Sequence, residues 1–217
     1  MHNRENNADR SHSLLSVIVL ISLVIMAGGM LASCGNKGPT RIDEVDRLIN
    51  EGWNYFASQQ YTEALASFDD ALLELSQHPD ALHGRGWSLA YLGQFADART
   101  ALVTAKELSF DDPDIWAGGA FVFSALGNQD QVVYWAEIAL GTQTAISEST
   151  PWVFSRNVAI THIHLRLVLA KAYWVRGSFI QCGEQLDIIE PGISHGGSSH
   201  LLLDDLSRLT ALNGSPF

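Results

Sequence analysis

Residues 86–98 read GWSLAYLGQFADA. The chain reads GWNYFASQQYTEA over residues 52–64 and AFVFSALGNQDQV over residues 120–132, so an aromatic returns at Trp53, Trp87 and Phe121. Units numbered from Val45, Pro79 and Pro113 put small residues at position 8, Gly52, Gly86 and Ala120. Position 11 is Tyr55, Leu89 and Phe123, and position 15 is Gln59, Gly93 and Gly127. Positions 20, 24 and 27 read Ala64-Phe68-Ala71, Ala98-Leu102-Ala105 and Val132-Ala136-Ala139. Apolar residues three and four apart describe two amphipathic helices per unit. The glycines fall where the first helix must stop, and Pro79-Asp80 and Pro113-Asp114 open their units as a first-turn proline and acid do.

This register resembles the tetratricopeptide repeat (TPR), whose small residues at 8, 20 and 27 let paired antiparallel helices approach closely. The resemblance implies an all-α, right-handed solenoid of helix pairs. It predicts that Gly86 accepts Ala but not Leu, because position 8 lies between two helices. Three regular repeats occupy residues 45–146, and a looser fourth spans 163–191, with Leu169, Ala170, Tyr173, Gly177, Cys182 and Leu186 in register. Arg166 stands there where the family usually has Trp. An insert at 147–162 interrupts the array, either extending the helix of unit four from Pro151 or folding as a loop. Residues 192–217 supply a loop and a capping helix, with Leu202, Leu206 and Leu209 on one stripe and Asp204, Ser207 and Arg208 facing outward.

Advancing about 100° per residue, positions 4, 7, 8 and 11 face the partner helix, and positions 2, 5, 9 and 12 form a second face. In TPR arrays that second face lines the concave groove where partner segments lie. The resemblance therefore implies a partner-binding groove lined by Trp53, Phe56, His83, Trp87, Tyr91, Phe121, Lys171 and Trp174. Such a row of aromatics buries large area on a partner. The competing expectation is that the next helix, or the insert carrying Trp152, covers these rings. Asp46, Asp80 and Asp114 recur too, but a first-turn Asp is what a helix start favours in any case.

The front of the chain has a different character. Arg4 and Arg10 precede an uncharged apolar run from Leu14 to Leu31, which ends in Leu31-Ala32-Ser33-Cys34. A charged start, an apolar middle and small residues before a cut site describe a secretory signal. The last four residues resemble the lipobox of bacterial lipoproteins, which implies a signal peptide over 1–33, lipid on Cys34 and a flexible tether over 34–44. Gly35, in place of Asp, points to the outer membrane and a periplasm-facing domain. The alternative is an uncleaved anchor helix. Both tie the remainder to a membrane.

The 24 Asp and Glu against 13 Lys and Arg give a net charge of −11. Arg4 and Arg10 are offset by Glu5 and Asp9, so the acidic excess lies beyond the signal and disfavours nucleic acid as a partner. With Cys34 lipidated, Cys182 is the only other cysteine and no internal disulfide is expected. Its small-residue packing position makes it an inert core thiol. His162-x-His164 points its imidazoles apart on a helix, and SHGGSSH at 194–200 lacks a nucleophile elbow. No cofactor, metal or catalytic residue is therefore assigned. The expected partner is another envelope protein or a peptide of one. An envelope hydrolase or metal enzyme would instead require His162, His164, His195 and His200 to converge with acids in one cleft. A structural spacer without a client would be favoured by a buried aromatic ladder.

Overall fold

The computed structural model describes residues 40–141, 151–196 and 198–214. The expected signal peptide, Cys34 and the start of the tether lie outside them. Within the described residues the fold is a series of helix pairs: α1 (Arg41–Ala57) with α2 (Tyr61–Glu74), α3 (Pro79–Tyr91) with α4 (Phe95–Leu108), α5 (Pro113–Ala125) with α6 (Gln129–Gly141), and α7 (His162–Val175) with α8 (Phe179–Ile189). Helix α9 (Ser199–Asn213) packs on α7 and α8 and closes the array. Each helix packs on its successor, and the first helices of successive units also touch, as an all-α solenoid requires. Helix α1 starts at Arg41 and so takes up the last residues expected in the tether. No helix among the described residues is long and apolar enough to cross a membrane.

Position 15 marks the turn in all four units. Gln59, Gly93, Gly127 and Gly177 have φ of 62°, 74°, 72° and 75°, the left-handed conformation that ends a helix and reverses the chain. Three of these are glycine, which adopts that conformation without steric cost. Gln59 bears the strain of a side chain there. Helices α3 and α5 begin as the Pro-Asp pairs predict, with Pro79 and Pro113 in the first turn. The Asp112 carboxylate accepts the Asp114 amide at 2.9 Å.

Position 8 is tighter than the sequence implies. A Cβ on Gly86 would stand 2.5 Å from Leu102 Cγ, and one on Gly52 would stand 2.7 Å from the Phe68 ring. The expectation that Gly86 accepts Ala is thus corrected, because even a methyl group forces Leu102 to move. The capping stripe forms as expected: Leu202, Leu206 and Leu209 are buried, while Leu203 and Leu212 stay exposed on its flanks.

The insert does not extend α7. Thr161 caps that helix, and residues 152–162 fold back as a short loop bridged at Val153 and Thr161. The Phe154 amide donates to the Ile160 carbonyl at 2.9 Å, and the His162 amide donates to Trp152 at 2.8 Å. His164 adds a cross-brace: Nδ1 accepts the Thr161 amide at 3.2 Å, so Nε2 carries the proton and donates to the Asn213 carbonyl at 3.0 Å. One imidazole therefore joins the start of α7 to the end of α9.

Candidate functional site

Helices α1, α3 and α5 bring position 9 of three units onto one concave face, as the register requires. The face is not open. Residues 152–154 cross it in extended form and then turn at 155–156, where the Asn157 amide donates to the Phe154 carbonyl at 3.2 Å; Trp152 and Phe154 are buried, and Val153 and Ser155 are exposed. The period of two in an extended chain sends residues 152 and 154 to one side, and the turn that follows carries Arg156 over the Trp53 ring.

Phe154 is the centre of the contact. Its ring stacks on Trp87 with centroids 4.1 Å apart and planes 17° apart, and Phe56 meets it edge-on at 6.1 Å. Trp87 in turn meets Phe121 edge-on at 6.0 Å. On one side the Trp152 indole donates to Asp114 Oδ1 at 2.8 Å, and the Ser155 amide donates to Oδ2 of the same carboxylate at 3.0 Å. On the other side the Arg156 guanidinium lies 4.6 Å over the Trp53 ring and 3.4 Å from Asp80 Oδ2. Trp53 donates its indole hydrogen to Asp80 Oδ1 at 3.0 Å. Position 2 of units two and three thus performs the same task twice, a carboxylate receiving an indole. Asp80 and Asp114 are more than helix starts.

The expected groove residues fall into two sets. Trp53, Phe56, His83, Trp87 and Phe121 are brought together and buried, Trp87 completely. The expectation that they stand open to a partner is corrected: the chain's own segment covers them, because Trp152 and Phe154 offer the apolar area that the ladder needs. Tyr91 is half-buried at the rim and stacks on Tyr61 at 4.3 Å, and burial pushes its hydroxyl up to about 12. Lys171 and Trp174 lie apart in unit four. Lys171 is exposed, and Trp174 donates to the Ser199 carbonyl at 2.8 Å. Sequence reasoning named the insert carrying Trp152 as the competing cover of the rings but missed Phe154 and Arg156 as groove occupants. The spacing of two in WVFSR was the available signal.

His83 is a buried polar group of the groove. Its side chain is buried, Nδ1 is 3.9 Å from Asp80 and 3.8 Å from Asp112, and Nε2 has no hydrogen-bond partner. Burial pulls its pKa down to about 4 against the opposing pull of Asp114 and Asp80, so the imidazole is neutral. Burial also raises the Asp112 carboxyl above its ordinary value.

The remaining histidines do not converge. His164 braces α7 to α9, and His200 pairs with Asp204 at 3.2 Å. The buried His195 sits between Asp187 at 3.0 Å and Glu190 at 3.1 Å. Both His195 nitrogens face carboxylate oxygens. No group of three metal-ligating side chains occurs among the described residues. Cys182 is fully buried, and burial pushes its thiol up to about 11, as befits packing rather than reactivity.

Comparison with known proteins agrees with this architecture. A family model for the tetratricopeptide repeat matches residues 55–120. Comparison with curated proteins gives no match. Among solved structures, MamA is similar at 14% identity, covering 77% of this chain and 81% of that one with a TM-score of 0.54. YrrB, described as a TPR protein with an unusual peptide-binding site, is similar at 14% identity, covering 76% and 75% with a TM-score of 0.56. A TPR protein from Parabacteroides merdae is similar at 18% identity, covering 95% and 76% with a TM-score of 0.51. At these identities the likeness speaks for the fold. With the matched repeats and the register of all four units, it gives the fold as an all-α solenoid of the tetratricopeptide repeat kind.

Proposed function

We propose that this protein is a membrane-tethered scaffold of a bacterial cell envelope that holds a segment of another protein against its TPR surface. The observation that carries the reading is the way the groove treats residues 152–156. A segment that runs extended to Phe154 and then turns is gripped through Trp152, Phe154 and Arg156 by rings and carboxylates that recur along the units, as repeat surfaces hold peptides. The peptide-binding site ascribed to YrrB, a structure of the same fold, supports the reading. Lipid on Cys34, after removal of residues 1–33, would supply the tether, with the outer membrane as its location.

Burial of the ladder favours a second reading, a spacer whose repeats are filled by their own insert and bind no client. One experiment separates the two: cross-linked affinity capture of the full-length protein from membranes, with Cys34→Ser in parallel. The scaffold reading expects a partner recovered at stoichiometric yield and a Cys34→Ser protein lacking the lipidated mature mass. Recovery of no partner under cross-linking would leave the spacer. An unchanged lipidated mass in Cys34→Ser would remove the lipid assignment.

A further inference from the structure

We propose that residues 152–156 are a displaceable ligand held in cis, and that they spell out what the groove accepts in trans: a segment with two aromatics two residues apart in extended form and, across a turn, a cation two residues further on. The proposal rests on the scaffold reading and names the chemistry of its ligand.

The template is the segment itself. Trp152 and Asp114 fix one end by an indole hydrogen bond, Phe154 fills the middle against Trp87, and Arg156 ends the contact over Trp53 and beside Asp80. An extended stretch presents the two aromatics on one side, and a turn after the second presents the cation. The backbone of the segment adds one direct bond to the groove, from the Ser155 amide to Asp114, so side-chain pattern rather than wider sequence decides the fit.

Three features make the cis segment replaceable. Its grip weakens toward Arg156, whose side chain is 40% exposed and whose partner Asp80 is 35% exposed, and ion pairs so open to water hold little. Beside that end lies a pocket of about 300 Å³ between Phe56, Tyr61, Arg156 and Asn157, where an incoming chain can take a footing. The present occupant also leaves the groove imperfectly satisfied, because the His83 ring lies 6.2 Å from Phe154 with Nε2 buried and unpartnered. A competing segment that brings a polar group to that nitrogen gains a bond the cis segment does not make.

The test uses the full chain and a labelled synthetic peptide reproducing residues 151–161. Amide exchange is followed at Ser155, whose hydrogen bond reports groove contact directly. Ser155 is expected to exchange through a local opening at least 100-fold more often than the amides of α3 and α5, and saturating peptide should speed it further while those helices stay protected. A Trp152→Ala/Phe154→Ala variant, where its circular dichroism matches the parent, should bind the peptide at least tenfold more tightly than the parent does. Exchange of Ser155 only together with α3 and α5, unaffected by peptide, overturns the proposal whether or not the variant folds. Partner capture that persists beside that negative result leaves the scaffold reading in place and assigns the partner to another surface.

Discussion

The two ends of the solenoid are held together by different chemistry. Units one to three repeat in strict register, and their interfaces are built around apolar packing, Phe68 under Gly52, Leu102 under Gly86 and Phe154 on Trp87, with polar bonds such as Trp53 to Asp80 and Arg85 to Asp69 beside it. Unit four follows the register more loosely, and it and the cap add more polar side-chain bonds to their buried leucines. Arg166, standing where Trp is usual, donates to Gln185 at 2.7 Å. Tyr173 donates to Glu137, His164 reaches Asn213, and Glu190 receives both His195 and Arg208, the latter at 2.9 Å. A repeat that keeps its small and large positions closes by shape, whereas one that loses them needs directed bonds. This contrast predicts that the two regions fail under different perturbations.

The largest effect is expected at Trp87. Its ring is fully buried between Phe121 and Phe154, so Trp87→Ala should lower unfolding stability by about 3–5 kcal/mol, measured by urea denaturation. Trp174→Ala, at a half-buried ring of unit four, should cost well under half as much. Equal losses would erase the contrast.

Acid should separate the regions next. His83 has its pKa pulled down to about 4 by burial, so the unfolded chain binds the extra proton first. The stability this neutral histidine allows is complete above its ordinary value near 6.5 and is lost as pH falls toward 4, about 3 kcal/mol in all. The raised Asp112 carboxyl opposes the loss at the acid end of that window. Glu190, held at about 2 chiefly by Arg208, contributes stability that is present above its ordinary value near 4.5 and lost only as pH drops toward 2. Unfolding free energy measured from pH 7 to 4 should therefore fall in the parent and flatten in His83→Gln. The same fall in both proteins would clear His83 of the effect.

Smaller shifts probe single positions. Gly86→Ala should cost about 1–3 kcal/mol, because its methyl group meets Leu102 at 2.5 Å. A melting temperature within a degree of the parent would show that Leu102 yields freely. Gln59→Gly should raise stability by roughly 0.5–1 kcal/mol, since glycine removes the left-handed strain at φ 62° but loses more backbone entropy on folding. Destabilisation by Gln59→Gly would mean that the Gln59 side chain makes a compensating contact.

Much of the fold was legible because it repeats. Position 15 could be read as a turn from Gly93 and Gly127, and Gln59 followed by register alone. The cap could be read from the spacing of Leu202, Leu206 and Leu209. The groove was half legible. Periodicity told which face Trp53, Trp87 and Phe121 occupy, but not what lies over them, since that depends on contacts between residues far apart in the chain. Trp152 finds Asp114 and Arg156 finds Asp80 across 38 and 76 residues, outside any window a repeat pattern samples. Asp114 misled for a related reason. A helix start explains an aspartate there by itself, which hides its second use as the acceptor for Trp152 and Ser155.

The central claim is that the aromatic ladder is closed by the chain's own Phe154, and a double-mutant cycle between Trp87 and Phe154 tests it most directly. Leucine at each position keeps the groove filled while removing the stack. Unfolding free energies of the parent, Trp87→Leu, Phe154→Leu and the double variant should give a coupling of about 1 kcal/mol or more, as stacked rings in contact do. Strict additivity, with coupling below about 0.3 kcal/mol, would mean that the two rings do not meet and that the groove is open.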